Sequence, residues 1–400
     1  VLNKRRVLLG ITGGIALYKT CEVLRLLKKE GAEVKAVLST GAEEFARPLL
    51  FSALTGERTY TNRDFFSSQG SIPHIELANW AEIILILPAT ASFLSKLRCG
   101  QASELLLALL LATKAPVYLF PSMNTNMLEH PATQENLRIL RSYGYKIYEP
   151  AEGELACGET GKGRLPEPLE ILEVIRAHFK PKDFLGKKVL ITGGPTREYL
   201  DQVRFITNAS SGKTAFFLTR EAYYRGARVF LLWGHKEFPS ELPKLNFFSD
   251  IPYPEIITTL TTQEMFEKAR KLFPEVDLAV FASAPCDFRP KSFYPGKLKK
   301  TEFLSLELEL TPDIAKALSK IKTKQLTIGF ALEERDKLLT YGLTKKVEKG
   351  FDILIANPLE TAGADTSDYL FLGPESQEEH LNLSKEKLAT LIFDSVKRLF

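Results

Sequence analysis

The chain has little of several things, and each shortage narrows what it can be. Its 400 residues hold four cysteines, Cys21, Cys99, Cys157 and Cys286, with no C-x-x-C pair and no regular spacing. A disulfide framework is thereby excluded, and free thiols in a reducing cytoplasm are expected. Long hydrophobic runs are missing too. The longest, Leu105–Ala112, falls far short of the roughly 20 residues of a membrane helix. The excess of positive charge is only +4, too small to imply a nucleic-acid partner, although mildly anionic small ligands are compatible with it. Low-complexity tracts are absent. Lys4-Arg5-Arg6 before Val7-Leu8-Leu9 imitates a signal peptide briefly, but Thr12-Gly13-Gly14 ends the apolar run too early for a signal h-region. A cytoplasmic protein with neither nucleic acid nor membrane as partner is expected.

What is present first is bulk: 400 residues, 44% hydrophobic and 26% charged, enough for two soluble domains of about 150–200 residues each. The chain then opens twice in the same way. Val7-Leu8-Leu9-Gly10-Ile11-Thr12-Gly13-Gly14 begins the first half, and Val189-Leu190-Ile191-Thr192-Gly193-Gly194 begins the second. Each is a short apolar run ending in a glycine pair and followed by a helical pattern. Parallel α/β domains begin their first strand and ligand-binding loop in this way.

In the first half strand patterns at Val7–Ile11, Glu33–Ser39, Ile83–Leu87 and Val117–Pro121 alternate with helical ones at Ala16–Glu30, Ser92–Gly100, Leu105–Thr113 and Thr133–Tyr143. The Gly-, Glu- and Pro-rich stretch Gly153–Pro168 reads as a long loop, a lid or binding segment. In the second half strands are predicted at Lys188–Thr192, Arg228–Trp233, Leu278–Ser283, Leu326–Phe330 and Asp352–Ala356. Helices are predicted at Lys213–Arg225, Thr262–Phe273, Pro312–Lys320, Thr344–Lys349 and Lys385–Phe400. Strand–helix alternation at this spacing means two doubly wound, Rossmann-like parallel sheets, one over residues 1–182 and one over 187–400. Lys180-Pro181-Lys182-Asp183 reads as the linker.

A glycine pair after strand one lets backbone approach an anion, and the following helix offers its positive end. Neither half completes G-x-G-x-x-G. Dinucleotide domains place Asp or Glu at the end of strand two to hold ribose hydroxyls; here Ser39-Thr40 and Trp233-Gly234-His235 stand there. Hydroxyls suit a phosphate better, so the dinucleotide reading recedes. Other chemical candidates sit at strand ends: His74-Ile75-Glu76-Leu77, Pro88-Ala89-Thr90-Ala91-Ser92, and Pro121-Ser122-Met123-Asn124. Ala156–Arg164 adds a thiol and basic residues on a glycine-rich segment. Taken alone, a histidine before a strand is ordinarily a surface or capping residue, and a lone cysteine a small core hydrophobe. Cys157 amid glycines and charges makes a poor core residue, whereas Cys21 and Cys99 lie in apolar helical settings. His130 before Pro131 reads as a turn residue.

These segments together resemble the flavin-dependent decarboxylase half of the bifunctional coenzyme A biosynthesis family. The carrying motifs are G-G-I-A-x-Y-K at Gly13–Lys19, H-I-x-L at His74–Leu77, P-A-T-A at Pro88–Ala91, P-x-M-N at Pro121–Asn124 and A-C-G-x-x-G-x-G-R at Ala156–Arg164. The resemblance implies decarboxylation of 4'-phosphopantothenoylcysteine to 4'-phosphopantetheine with FMN as cofactor. An aliphatic carboxylate resists losing CO2 for want of an electron sink, and oxidation of the neighbouring cysteine thiol creates one. On this reading His74 does acid–base work, Asn124 orients the substrate carboxylate and Cys157 protonates the enethiolate. Gly13, Gly14, Ser39, Pro88, Ala89, Thr90 and Ala91 would hold the FMN. Ser122 and Ser103-Glu104 depart from the family's commoner residues.

Joining an acid to an amine needs activation, usually by a nucleotide. That calls for a phosphate cradle, cations for the leaving pyrophosphate and a metal-holding carboxylate. Asn208-Ala209-Ser210-Ser211-Gly212-Lys213 ahead of a helix, Asp287 after an apolar strand and the basic stretch Lys291–Lys300 around Pro295-Gly296 are candidates for the three. A lysine cluster is by itself ordinarily a solvated face; with a Pro-Gly hinge and Asp287 close by it reads as a flap. The second half resembles the ligase half of the same family through G-P-T-R-E at Gly194–Glu198, N-x-S-S-G-K at Asn208–Lys213, D-F-R-P at Asp287–Pro290 and K-L-K-K at Lys297–Lys300. P-D-I at Pro312–Ile314, G-F-A-x-E at Gly329–Glu333 and Ala356-Asn357 complete the set. The resemblance implies that 4'-phosphopantothenate and cysteine are joined with CTP through an acyl-cytidylate, with Asn208 and Lys297 catalytic. Ser210, Ser211, Gly212, Lys213, Asp287, Pro312, Asp313, Ile314, Phe330, Lys345 and Lys349 would contact nucleotide or substrate, Asp287 through Mg2+. Pro285 and Thr311 depart from the family pattern. The family also implies a homo-oligomer, with trimeric flavin domains and dimeric ligase domains that make a dodecamer. Two alternatives stand beside this: a non-catalytic FMN-binding regulator of the same fold, and another FMN-dependent cysteine decarboxylase.

Overall fold

The computed structural model describes residues 2–66, 70, 72–156, 158–235, 238, 242–245, 251–299, 305–361, 363–374 and 376–400. The chain divides into two compact units, Val1–Lys180 with Pro243–Phe248, and Pro181–Leu242 with Ser249–Phe400.

In the first unit the strands are β1 (Arg6–Ile11), β2 (Glu33–Leu38), β3 (Thr59–Tyr60), β4 (Ile83–Ala89), β5 (Val117–Pro121) and β6 (Lys146–Ile147). They form one parallel sheet in the order β3-β2-β1-β4-β5-β6. Between them lie α1 (Leu17–Lys29), α2 (Thr40–Glu43), α3 (Pro48–Thr55), α4 (Pro73–Trp80), α5 (Ala91–Arg98), α6 (Leu105–Ala112), α7 (Thr125–Glu129) and α8 (Pro131–Ser142), and α9 (Pro168–Phe179) follows. Alternation along β1 builds two cores. Val7, Leu9 and Ile11 pack with Val23 and Leu27 of α1, Phe51 of α3 and Ile171 of α9. Leu8 joins Ile84 and Ile86 against Phe93 of α5 and Leu106 of α6 on the other face. α6 is apolar all round, and Leu105–Leu110 are buried in that second core. No helix among the described residues is long and apolar enough to cross a membrane.

In the second unit the strands are β9 (Lys188–Pro195), β10 (Arg197–Tyr199), β11 (Phe205–Thr207), β12 (Arg228–Trp233), β13 (Glu255–Thr258), β14 (Leu278–Ala284), β15 (Phe288–Pro290), β16 (Leu308–Leu310), β17 (Leu326–Glu333), β18 (Ile353–Pro358), β19 (Thr366–Leu372) and β20 (Gln377–Ser384). The helices are α10 (Lys213–Tyr224), α11 (Thr262–Leu272), α12 (Ile314–Ser319), α13 (Leu338–Glu348) and α14 (Lys385–Lys397). The main sheet runs β13-β12-β9-β14-β17-β18-β19-β20.

The two doubly wound sheets expected from the sequence are both there, with three departures. β19 and β20 are antiparallel additions to the second sheet. Gly153–Pro168 is not a plain loop, because β7 (Ala151–Glu154) and β8 (Thr160–Arg164) pair as an antiparallel hairpin. Its glycines serve close approach: a Cβ on Gly163 would lie 2.0 Å from the Met123 carbonyl, and one on Gly161 2.4 Å from the Thr125 hydroxyl. Third, Gly193-Gly194 lies inside β9, and the helix comes only after the β10–β11 hairpin.

Where the sequence suggested a linker, Asp183 is already part of the second unit. Arg225 caps the end of α10 with 1% of its side chain exposed. Its guanidinium grips both Asp183 oxygens at 2.8 and 2.6 Å, reaches Asp394 of α14 at 2.7 Å and lies over the Phe184 ring. Burial opposes the charge on Asp183, but Arg225 and Lys397 outweigh it and hold the carboxyl below its usual range. A buried pair broken from one side leaves an uncompensated charge, so Arg225→Met is expected to cost the second unit about 3–5 kcal/mol. Urea unfolding of the full chain followed by tryptophan emission reads this, since Trp233 is buried in that unit. A depressed carboxyl stabilises the fold above its unfolded pKa and loses that contribution as pH falls through its folded value. The wild-type margin should therefore shrink below about pH 4.

Candidate functional site

Each sheet has its crevice where the connections from two neighbouring strands diverge, between β1 and β4 in the first unit and between β9 and β14 in the second. One threonine crosses each. Thr12, buried at the end of β1, donates its hydroxyl to the Pro88 carbonyl at 2.7 Å and accepts from the Thr90 amide at 3.2 Å. Thr192, buried in β9, is 2.8 Å from the Ser283 hydroxyl of β14. The glycines beside them bring the first strand's end against the second's. A Cβ on Gly13 would lie 2.4 Å from the Gly41 carbonyl, and one on Gly234 2.1 Å from the Pro195 carbonyl. Gly13 and Gly234 are thus needed by the fold itself, apart from any ligand.

The first crevice is a cleft of about 720 Å³, within the size range of small-molecule sites. Gly13, Gly14, Thr90, Ala91 and Asn124 line it together, as do Ile15, Tyr18, Met123, Met127 and Leu155. Thr90 caps α5 by accepting from the Phe93 amide, and α1 begins just beyond Gly14. Asn124 caps α7 through its side-chain oxygen, and its amide donates to the Glu159 carboxylate at 2.9 Å. Lys19, buried under the cleft, donates to the Leu165 carbonyl and to Glu167. That bond is the main reason the Glu167 carboxyl lies below its usual range.

Other expected residues stand elsewhere. Pro88 and Ala89 are buried at the end of β4, behind the cleft wall. Ser39 caps α2, its hydroxyl accepting from the Ala42 amide. His74 sits in the first turn of α4, its ring edge-on to Phe65. Its Nδ1 is buried and has no hydrogen-bond partner among the described residues. Ser39 and His74 are not among the described residues lining the cleft. Cys157 lies outside the described residues, as does Lys300.

In the second unit the gathering is tighter. Asp287, Pro312, Asp313, Ile314, Phe330, Lys345 and Lys349 all line one pocket of about 330 Å³. Lys345 pairs with Glu333, and Lys349 lies 3.2 Å from Asp313. Ser210, Ser211, Gly212 and Lys213 line a second pocket of about 170 Å³, and Phe330 is shared by both. Gly212 needs its bare α-carbon, for its φ is +69° and a Cβ would meet the Trp233 ring at 2.1 Å. Asn208 ties this loop to the end of β14, donating to the Pro285 carbonyl at 2.9 Å. Thr311 donates to the Cys286 carbonyl, so it braces the Asp287 turn. Lys297 is exposed, but the backbone beside it is fastened: the Leu298 amide donates to buried Asp201, and the Gln202 amide to the Gly296 carbonyl. Gly193 and Gly194 line neither pocket.

Known families cover both units. The family described as Flavoprotein matches residues 1–180, and the DNA/pantothenate metabolism flavoprotein C-terminal domain matches residues 184–399. The coenzyme A biosynthesis bifunctional protein CoaBC of Bacillus subtilis is 39% identical over 368 residues, covering 91% of this chain and 88% of its own. The chain belongs to the coenzyme A biosynthesis bifunctional proteins. It is a bifunctional enzyme with a flavoprotein domain, a phosphopantothenoylcysteine synthetase and decarboxylase. The CoaBC protein of Vibrio cholerae is 37% identical over 401 residues, 98% of this chain and 97% of its own. A crystal structure of the C-terminal domain of a CoaBC protein is 31% identical, spanning 55% of this chain and 97% of its own at a TM-score of 0.45.

Sequence reasoning on this family missed several site residues. Thr12 and Thr192 were visible only as part of a strand ending. Lys385 and Tyr369 line the smaller pocket of the second unit from α14 and β19, and nothing in Ser384-Lys385-Glu386-Lys387 distinguishes it from a solvated helix start. The asymmetry of the glycine contact yields a test. A Cβ on Gly13 would collide with backbone, whereas one on Gly41 meets Gly13 no closer than 3.6 Å. Gly13→Ala is expected to cost the first unit about 1–3 kcal/mol, and Gly41→Ala no more than about 0.5 kcal/mol. Thermal unfolding of the two variants decides it.

Proposed function

We propose that residues 187–400 join 4'-phosphopantothenate to cysteine with CTP, through an acyl-cytidylate, and that residues 1–182 then decarboxylate the product with FMN to 4'-phosphopantetheine. The observation that carries this reading is the gathering of the motif residues into clefts of different character at the carboxyl ends of the two sheets. The first cleft has an apolar wall for a planar ring. Two helix N-termini beside it suit a phosphate. The second unit's pockets carry lysines, hydroxyls and carboxylates instead.

The first cleft fits FMN: Gly13, Gly14, Thr90 and Ala91 would hold it, with Ser39, Pro88 and Ala89 shaping the strand ends behind. Bound there, the flavin supplies reversible oxidation of the cysteinyl thiol, giving the departing carboxylate an electron sink. Asn124 orients that carboxylate by its amide, which in this structure already holds the carboxylate of Glu159. His74 moves protons around the decarboxylation, and Cys157 protonates the enethiolate, a role resting on its motif. His74 lies outside its own chain's cleft lining, and exposed apolar side chains stand beside both places, Ile72 and Ile75 by His74, Ile15 and Tyr18 at the cleft. These features support a homo-oligomer, trimeric through the flavin domains, in which one copy's His74 completes its neighbour's site. Pairing of the ligase domains would extend it to a dodecamer.

In the ligase the larger pocket takes the nucleoside and the smaller one its phosphates. Asp287 would share Mg2+ with those phosphates. No cluster of three or more metal-ligating side chains occurs among the described residues, which suits an ion held largely by substrate oxygens. Asn208, braced against the Asp287 turn, assists turnover of the acyl-cytidylate, and Lys297 stabilises its formation.

The full chain with phosphopantothenate, cysteine, CTP and Mg2+ is expected to release CMP and CO2; absence of CMP overturns the ligase reading. Lys297→Gln should slow CMP release about 100-fold, and an unchanged rate removes Lys297 from the chemistry. His74→Asn and Asn124→Ala should each lower CO2 release about 100-fold or more. Co-expressed, the two variants should regain roughly a quarter of wild-type activity, the share of interfaces pairing one intact residue with the other. No recovery would mean that His74 and Asn124 serve the same chain's site.

A further inference from the structure

The second unit holds a buried cation to which the proposed ligase chemistry gives no task. Lys385 is the first residue of α14, with 8% of it exposed. Its backbone amide donates to the Asp365 carbonyl, but among the described residues its ammonium has neither hydrogen bond nor ion pair. The Asp365 carboxylate, the nearest counter-charge, is taken by Lys213 at 2.7 Å. The side chain lines the pocket walled by Ser210–Lys213, Phe330, Asn357 and Tyr369.

The balance of local effects disfavours a cation there. Burial penalises it, since buried charges are ordinarily paired. The first turn of a helix is the positive end of its dipole, which repels cations and attracts anions. Lys213 adds a like charge. Burial first and Lys213 second hold the Lys385 ammonium below its usual pKa, against the partial support of Asp365. A lysine serving only as apolar filler would turn away from polar groups; this one lines the same pocket as Lys213 and the hydroxyl-bearing Ser210–Gly212 loop. The same pocket receives the N-terminus of α10, of 12 residues, whose cap is Gly212 in the hydroxyl-bearing loop. Its volume of about 170 Å³ lies below the ~300 Å³ at which drug-sized sites begin. That suits phosphate groups and is too small for a whole nucleoside.

We propose that Lys385 is an anion-binding residue of the ligase, gripping the nucleotide's phosphates opposite Lys213 and the Ser210–Gly212 loop. The bound phosphate supplies the counter-charge that the protein withholds. This rests on the nucleotide reading of the second unit, and it adds a residue far along the chain from the phosphate loop.

Lys385→Gln and Lys385→Arg in the full chain test it, with CTP varied at saturating phosphopantothenate and cysteine, and with inorganic pyrophosphate binding measured by calorimetry. The expected result for Lys385→Gln is a rise of at least ten-fold in KM for CTP and a similar loss of pyrophosphate affinity. KM for cysteine and the rate of CO2 release from supplied phosphopantothenoylcysteine should not change, and Lys385→Arg should recover most of the loss. Without ligand, Lys385→Gln should melt no lower than wild type, because an unpaired buried charge has been removed; pyrophosphate should then raise its melting temperature less. A structural lysine would behave oppositely, lowering the ligand-free melting temperature in both variants. Unchanged KM for CTP and unchanged pyrophosphate affinity in Lys385→Gln overturn the proposal. If wild type makes no CMP yet binds pyrophosphate in a Lys385-dependent way, the anion site stands and the nucleotide reading falls.

Discussion

Two buried threonine hydroxyls set the geometry on which both sites depend. Thr12 just after β1 and Thr192 within β9 each bond sideways to the strand across the switch point, Thr12 to Pro88 and Thr90, Thr192 to the Ser283 hydroxyl. A buried hydroxyl without partners is costly, and one satisfied from across the sheet holds two strand ends in register. The loops that leave those ends turn to opposite faces, and a crevice opens between them. Gly13 against Gly41 and Gly234 against Pro195 press the neighbouring strand end in from the other side. The crevice is therefore a consequence of strand-end packing, ready before any ligand arrives.

One device serves two chemistries because the chain leaves it differently. After Gly14 the first unit enters α1 almost at once, and the β7–β8 hairpin lies over the Met123–Thr125 segment, leaving a large cleft with apolar walls. After Pro195 the second unit inserts the β10–β11 hairpin, and its helix starts only at Lys213. The start of the following helix is thereby moved from the glycine pair to the Ser210–Gly212 loop. Phe330 divides what remains into a larger and a smaller pocket. The first arrangement belongs to the flavoprotein domain, and the second is the proposed nucleotide site.

Much of the architecture was readable. Val117–Pro121 and Arg228–Trp233 are strands to the residue, because each is an apolar run with a proline or glycine at or close to each end. β20 was not readable: Gln377–Ser384 is mostly polar and none of it is buried, and it is a strand because β19 offers it an unpaired edge. The β7–β8 hairpin was hidden for another reason. Glycines at Gly161 and Gly163 resemble loop residues in sequence, while their actual use is backbone contact with residues near in space and distant in the chain. The sequence pattern marks only Thr344–Lys349 as helix, whereas α13 extends back to Leu338, its half-exposed leucines giving no clean helical stripe.

The sequence by itself determined the two α/β sheets, the family, and nearly all the residue types that its chemistry needs, since apolar periodicity and motif spacing are local properties of the chain. Only the tertiary structure decided which of them meet. It put seven nucleotide candidates around one pocket, left His74 outside its own chain's cleft lining, and turned the doubled Thr-Gly-Gly into a strand clasp. It also brought Lys385 to Lys213. Such meetings depend on sheet order and helix packing between distant segments, and no local pattern of residues encodes them.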